Sequence, residues 1–409
     1  MTSRPIAAIV PIFIGASLAA AVAVWPAPIA AQQPITVPFE YANRHLVVQA
    51  SVSGSQPLPF VLDTGAGSAI IKLERARALG LELYGTVGVG GAGSGRASTG
   101  SQVRGASWTM PGVPRFSQPV TFALPLAGLA SGLGRDADGI IGSEFIKQFV
   151  VEIDYEASHL RLHDKGSFRY AGPGESVPLQ FNSDGHPTIE AIVTPLGGAP
   201  IAGRFLFDTG SGGAVVLHTP LVTRHRLLDD SATNQTIRLI GAQGAGGSIA
   251  GRIGRLAEIR IGAFRIAKPI TMFSQDQAGS FANADLAGNI GNQIASRFRI
   301  FLDYGRRRMI LESSPTFAEP FDRAFSGLAF RAEGADYRTF RIRDVLERSP
   351  ASEAGLQPGD VIAEVDGKPA SAFTLTALIE MFERPVAYVL TVRRGEQTLT
   401  TTLTPRKMV

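Results

Sequence analysis

Two short stretches of this sequence carry the same acid in the same setting. FVLDTGAGSAII (60–71) and FLFDTGSGGAVVL (205–217) each place an aspartate after three apolar residues and before Thr-Gly and a run of small residues. Asp63 and Asp208 are therefore the candidate catalytic groups. If the two stretches meet about a pseudo-two-fold axis, their carboxyl groups stand face to face. Two carboxylates about 3 Å apart cannot both ionise at ordinary pH, so such a pair holds one proton between them. One carboxylate then takes a proton from a water while the other donates to a carbonyl oxygen, and the water attacks the carbonyl carbon. The neighbouring residues suit this chemistry. Gly65 and Gly210 permit a sharp turn and close backbone approach, and Thr64 and Thr209 bring hydroxyls able to hydrogen-bond to the opposite stretch. The next position differs, Ala66 in one and Ser211 in the other. A Ser211 hydroxyl donated to Asp208 would favour its ionised form, so the charge is expected on Asp208 and the proton on Asp63.

The elements that must position these residues are repeated too. VGVGGAGSG (87–95) and DGIIGSEFIKQFVVEIDYEASHLRLHD (138–164) follow Asp63, while LIGAQGAGGS (239–248) and AGNIGNQIASRFRIFLDYGRRRMILES (287–313) follow Asp208. Gly142 lies 79 positions after Asp63, and Gly291 lies 83 after Asp208. Two copies of one lobe account for this order. Residues 150–154 and 299–303 have the β-branched and aromatic character of strands, answered by return strands at 159–164 and 308–313. Short helices are expected at 145–148 and 293–297. A Pro/Gly stretch at 171–174 parts the lobes. The expected division is a first lobe at 32–170, a second at 175–313, a linker at 314–324 and a separate unit at 325–409.

Each lobe resembles a retropepsin-type aspartic protease unit, and the two together resemble a single-chain, pepsin-like pseudo-dimer over roughly 36–313. The resemblance implies a mainly β fold of two barrel lobes with Asp63 and Asp208 as the catalytic pair. It implies peptide substrates held extended across a cleft. It also implies that the glycine-rich segments are flaps, with Gly88, Gly90, Gly91 and Gly93 in the first and Gly241, Gly244 and Gly246 in the second. The family's hydrophobic-hydrophobic-Gly element stands as Ile140-Ile141-Gly142 in the first lobe. The second has Asn289-Ile290-Gly291, a departure behind Asp208.

The last unit, with GLAF (327–330), SPASEAGLQPGDVIAEVDG (349–367) and the helical run TLTALIEMFE (374–383), resembles a PDZ domain. That resemblance implies that the backbone around Gly327, Leu328, Ala329 and Phe330 receives a peptide's terminal carboxylate while the peptide adds as a strand. The chain's own last residues, Arg406-Lys407-Met408-Val409, are a candidate for that groove.

Other chemistries lack their markers. There is no cysteine, which excludes thiol catalysis, thiolate metal sites and disulfides. The net charge of +4 comes from scattered Lys and Arg, so no nucleic-acid track is expected. The G-x-G-x-x-G match at 88–93 precedes no helical pattern and no acidic residue in the next thirty positions, so no dinucleotide or other cofactor is expected. The six histidines form no H-E-x-x-H and point to no metal, and no G-x-S-x-G elbow is present. Arg4 precedes an apolar stretch at 6–24, followed by a small-residue site ending at Ala31. This reads as a signal peptide over 1–31, with a periplasmic or secreted bacterial protein beginning at Gln32; uncleaved, the segment would anchor the chain to a membrane. The expected function is an exported aspartic endopeptidase acting on peptides or unfolded proteins, with a PDZ domain that selects substrates or regulates. The alternative is a catalytically idle periplasmic adaptor that binds peptides through the PDZ domain. The lobes could also pair between two chains.

Overall fold

The apolar runs before each Asp-Thr-Gly become buried strands, Leu58–Leu62 and Ile201–Phe207. The computed structural model describes residues 1–2, 33–95, 98–126, 128–229 and 235–409; beyond its first two residues the expected signal segment lies outside these. Beside Leu58–Leu62 runs Gly139–Ile141, parallel to it with Ile141 opposite Leu62, and antiparallel to Ala69–Lys72. Gly288–Ile290 repeats this in the second lobe, parallel to Ile201–Phe207 and antiparallel to Val215–Leu217. Each Ile-Gly element thus threads between the two strands that flank its Asp loop. A Cβ at Gly139 would overlap the Ile70 carbonyl, and one at Gly288 the Val216 carbonyl, so both crossings require glycine.

The fold is mainly β. Below the loops, Val150–Asp154 pairs antiparallel with Phe298–Asp303, Val151 opposite Leu302 and Ile153 opposite Ile300. The two lobes of one chain therefore share a sheet, and their apolar residues form one continuous core. The single-turn helices fall at Ser143–Ile146 and Asn292–Ala295, earlier than the sequence pattern placed them. They begin directly after Gly142 and Gly291 because the N–H groups of Ser143 and Asn292 are taken by the carbonyls of Ala66 and Ser211, both at 2.8 Å.

The C-terminal unit has its own core around Phe340, Leu378 and Leu390. Its strands stand in the order Leu328–Glu333, Thr339–Val345, Val361–Val365, Tyr388–Arg394 and Gln397–Leu403. The helix Leu375–Met381 is capped by Thr374, whose Oγ1 accepts from Ala377 N at 3.0 Å. This unit rests on the first lobe: Asn43 N donates to Thr376 Oγ1 at 2.9 Å, and Arg44 pairs with Glu383. The stretch at 314–324 is fastened to the second lobe by Arg297, which donates to the carbonyls of Phe317 and Glu319.

Candidate active site

The two Asp loops are held by one reciprocal network. Asp63 N–H donates to Ile141 O at 3.0 Å and Asp208 N–H to Ile290 O at 2.9 Å. Thr64 Oγ1 donates across the interface to Phe207 O (2.5 Å) and accepts from Thr209 N (3.0 Å). Thr209 Oγ1 does the converse, donating to Leu62 O (2.8 Å) and accepting from Thr64 N (3.0 Å). Both threonines are fully buried. Thr209→Val keeps the shape but leaves the Thr64 N–H and the Leu62 carbonyl without partners. Unsatisfied buried groups cost about 1–3 kcal/mol each, so urea unfolding should show a loss of about 2–6 kcal/mol. An unchanged midpoint would show that this network contributes nothing to stability.

The network brings the carboxyl groups of Asp63 and Asp208 into hydrogen-bonding contact. Gly65 N–H donates to Asp63 Oδ1 at 2.7 Å and Gly210 N–H to Asp208 Oδ1 at 3.0 Å. Glycine is required because each loop touches the opposite acid. A Cβ at Gly65 would stand 2.8 Å from Asp208 Oδ1, and one at Gly210 would overlap the Asp63 carboxyl group outright.

Residues that sequence reasoning missed lie beneath. Ser143 Oγ donates to Thr64 O at 3.0 Å, and Asn292 Nδ2 donates to Thr209 O at 2.6 Å. These are equivalent positions, each directly after an Ile-Gly pair, and that spacing was their only signal. His45 reaches from the first lobe to place Nε2 3.1 Å from Gly210 O; nothing in its sequence context marked it.

Burial raises the proton affinity of both aspartates, and for Asp63 the charge of Asp208 raises it further. Asp208 is relieved by donors, first the Asn289 amide (Nδ2 to Oδ2, 2.7 Å) and then Gly210 N–H. The proton therefore belongs on Asp63 and the charge on Asp208. The donor expected for this, the Ser211 hydroxyl, is corrected: among the described residues it makes no hydrogen bond to Asp208. It lies beside Gly291 instead, where an added Cβ would come within 2.9 Å of Oγ, and Ser211 acts on Asp208 only through its backbone N–H. Ala66 likewise acts through the backbone, on Asp63. Among the described residues no cluster of three or more His, Asp and Glu side chains is placed to hold a metal ion.

The glycine-rich segments meet tip to tip. Gly246 N donates to Ala92 O at 2.8 Å and Ser94 N to Ser248 O at 3.1 Å, while Gly91, Gly93 and Gly244 lie so close to the opposite backbone or Ala245 that a Cβ at any of them must displace it. Ser280 N adds a bond to Gly91 O at 3.0 Å. Gly88 lies in the strand Glu82–Val89 leading to the first tip, and Gly90 faces open space. Gly241 is at the base of its segment, at φ +67°, packed against Ala329 of the PDZ edge strand. Around it a pocket of about 220 Å³ is lined by Ile237, Leu239 and Ile240 from the second lobe and by Leu328, Phe330 and Ile379 from the PDZ unit. Arg238 faces Asp344 at 3.7 Å. Gly327, at φ +80°, opens the PDZ edge strand against Ser349.

Within the chain, the tail does not sit in that groove. Arg406 pairs with Glu353 and bridges Phe325, Lys407 pairs with Asp322, and the Val409 carbonyl oxygen accepts from Arg255 Nε of the second lobe at 3.1 Å. These contacts draw the last residues away from the groove.

A two-lobed β protein with paired, unequally hydrogen-bonded carboxyl groups and an appended C-terminal domain is the class so defined. Residues 48–145, which include Asp63 and Ile140-Ile141-Gly142, match the family described as aspartyl protease, and residues 341–394 match the PDZ domain family. The chain thus carries an aspartyl protease domain and a C-terminal PDZ domain. Among solved structures, the crystal structure of basic 7S globulin from soybean aligns at 10% identity and a TM-score of 0.41, over 70% of this chain and 97% of that one. No curated protein matches the chain by sequence.

Proposed function

We propose that the protein is an exported aspartic endopeptidase that hydrolyses peptide bonds with a water activated between Asp63 and Asp208. The observation that carries this reading is the placement of two buried carboxyl groups side by side, a Cβ at Gly65 falling 2.8 Å from Asp208 Oδ1 and 3.1 Å from Asp63 Oδ1, with the Asn289 amide donating to Asp208. Charged Asp208 takes a proton from the water as the water attacks the scissile carbonyl. Asp63 gives its proton to the carbonyl oxygen, leaving a neutral gem-diol; Asp208 then passes its proton to the amide nitrogen while a diol hydroxyl returns one to Asp63, so the C–N bond breaks, the carbonyl re-forms and the amine leaves. The threonine network supplies the rigidity that this geometry needs. An extended peptide or unfolded protein is the fitting substrate, entering when the glycine-rich tips part. Export rests on the charged, then apolar, then small-residue order of the first 31 positions. The test is cleavage of an unfolded protein across pH 3 to 8 by the chain beside its Asp63→Asn variant. Cleavage retained in the variant, or absent from both, would overturn the reading.

For the PDZ domain we propose regulation through the second glycine-rich segment. Its base, Gly241, sits on the PDZ edge strand while its tip joins the opposite tip, so a peptide adding to that strand must displace the base. Gly241→Val should part the contact with Ala329. Hydrogen exchange at 243–248 is then expected to rise about tenfold, as a closed segment comes to open more often. Unchanged exchange would remove the link.

A further inference from the structure

The second lobe differs from the first at two positions that meet behind the dyad. Asn289 occupies the site of Ile140, and His218 that of Lys72: the backbone N–H of Lys72 donates to Asp138 O, and that of His218 to Ala287 O, at the same step of the same crossing. Asn289 Nδ2 donates to Asp208 Oδ2 at 2.7 Å, and Asn289 Oδ1 stands 2.9 Å from His218 Nε2. Asn289 is 4% exposed and His218 1%. We propose that Asn289 and His218 are positioning residues that hold the negative charge of the pair on Asp208, the imidazole fixing the amide and the amide fixing the carboxylate. This rests on the aspartic endopeptidase reading.

An asparagine can present either its oxygen or its NH₂ to a neighbour. Against a carboxylate only the NH₂ is attractive, which turns Oδ1 toward His218 and requires a proton on Nε2. The imidazole in that form locks the amide against rotation. Its other nitrogen stands 3.3 Å from the Asn283 carbonyl, a second acceptor that a singly protonated ring cannot also serve, so the proton goes to the shorter contact with Asn289 (2.9 Å), and the Phe281 ring packs beside it at 5.4 Å. Among the described residues no charged side chain acts on the ring; burial lowers its proton affinity and outweighs the Asn289 and Asn283 contacts, which raise it. Asp208 meets Asp63, Asn289 and the N–H groups of Gly210 and Ser211. Tyr304, near Asp63, is kept protonated by burial. Lobe one has no counterpart to this arrangement, because Ile140 has nothing to donate. The two acids are therefore made unequal by the fold and not by the substrate.

Losing the amide should raise the pH at which the pair first ionises. In Asn289→Leu the acid limb of kcat/KM is expected to move up by about one pH unit, a tenfold change in the ionised fraction below the limb. His218→Leu should move it the same way by less, whereas His218→Gln, whose amide NH₂ can stand in for Nε2–H, should keep the wild-type limb. A limb unmoved in a folded Asn289→Leu protein overturns the proposal, as does a His218→Gln limb displaced as far as that of His218→Leu. Titration of the carboxyl carbons in ¹³C-aspartate-labelled protein gives a readout that needs no turnover. If the wild-type chain cleaves nothing, the endopeptidase reading fails, and an Asp208 midpoint raised in Asn289→Leu still supports the positioning role. An unmoved midpoint overturns it.

Discussion

Exchanging Asp208 for asparagine is expected to lower kcat/KM by about 10⁴-fold or more, the scale found when a residue that works as part of a catalytic unit is removed. That loss corresponds to about 5.4 kcal/mol of transition-state stabilisation. An amide at position 208 cannot take the proton of the attacking water, however well it is placed. Asp63→Asn should fail to the same degree for the opposite reason: its NH₂ can point at a carbonyl oxygen but cannot surrender a proton to it. Stability separates these losses from misfolding. Burial and the charge of Asp208 raise the pKa of Asp63 in the folded protein above its unfolded value. The folded state then binds more protons than the unfolded state between those two values, so stability falls as pH rises through that window. Asp63→Asn has no proton to lose there. Its Tm should match the wild type near pH 4 and exceed it at pH 7, while cleavage is gone. A variant that melts earlier at pH 7, or that still cleaves, would contradict the shared-proton arrangement.

Much of this site was legible because its chemistry is local. Asp, Thr and Gly sit side by side, and their repeat, with an Ile-Gly pair at near-equal distance, implied two facing loops before any contact was known. The threonine cross-links followed from the same repeat, since hydroxyls beside two facing loops have the opposite backbone within reach. The donor to Asp208 was not legible. Ser211 stands three positions from that acid and is the natural reading of adjacency, but the turn aims its hydroxyl at Gly291. Asn289 lies 81 positions from Asp208, and His218 71 from Asn289. They meet only because Gly288–Ile290 threads between the two strands that flank the loop. The sequence marked Asn289 as a departure in an apolar slot without saying what a polar group there would touch. The resemblance makes the whole second glycine-rich segment a flap, which does not distinguish a glycine at its tip from Gly241 at its base. The tail was read from its apolar end, while its basic residues, paired with Glu353 and Asp322, decided its course.

Gly210→Ala carries the second large effect, through packing alone. Position 210 needs no left-handed backbone; what forbids a side chain is the opposite acid. An added Cβ would overlap Cγ and both oxygens of Asp63, so the loop or the carboxyl group must move by about 1 Å to reach ordinary contact. A displacement of that size at reacting groups costs about 10²-fold in rate, and that is the expected fall in kcat/KM. Gly65→Ala meets Asp208 Oδ1 at 2.8 Å and Asp63 Oδ1 at 3.1 Å, which a shift of about 0.6 Å relieves, so its loss should be smaller, about tenfold. Gly132, in the short helix Leu129–Leu133, has nothing within 4 Å of a Cβ, and alanine there should leave cleavage as it is. The order Gly210, Gly65, Gly132 is what a steric cause demands. Equal losses at 210 and 65 would instead indicate that the two carboxyl groups move together as one unit. A fully active Gly210→Ala protein would mean that the acids do not work at this separation.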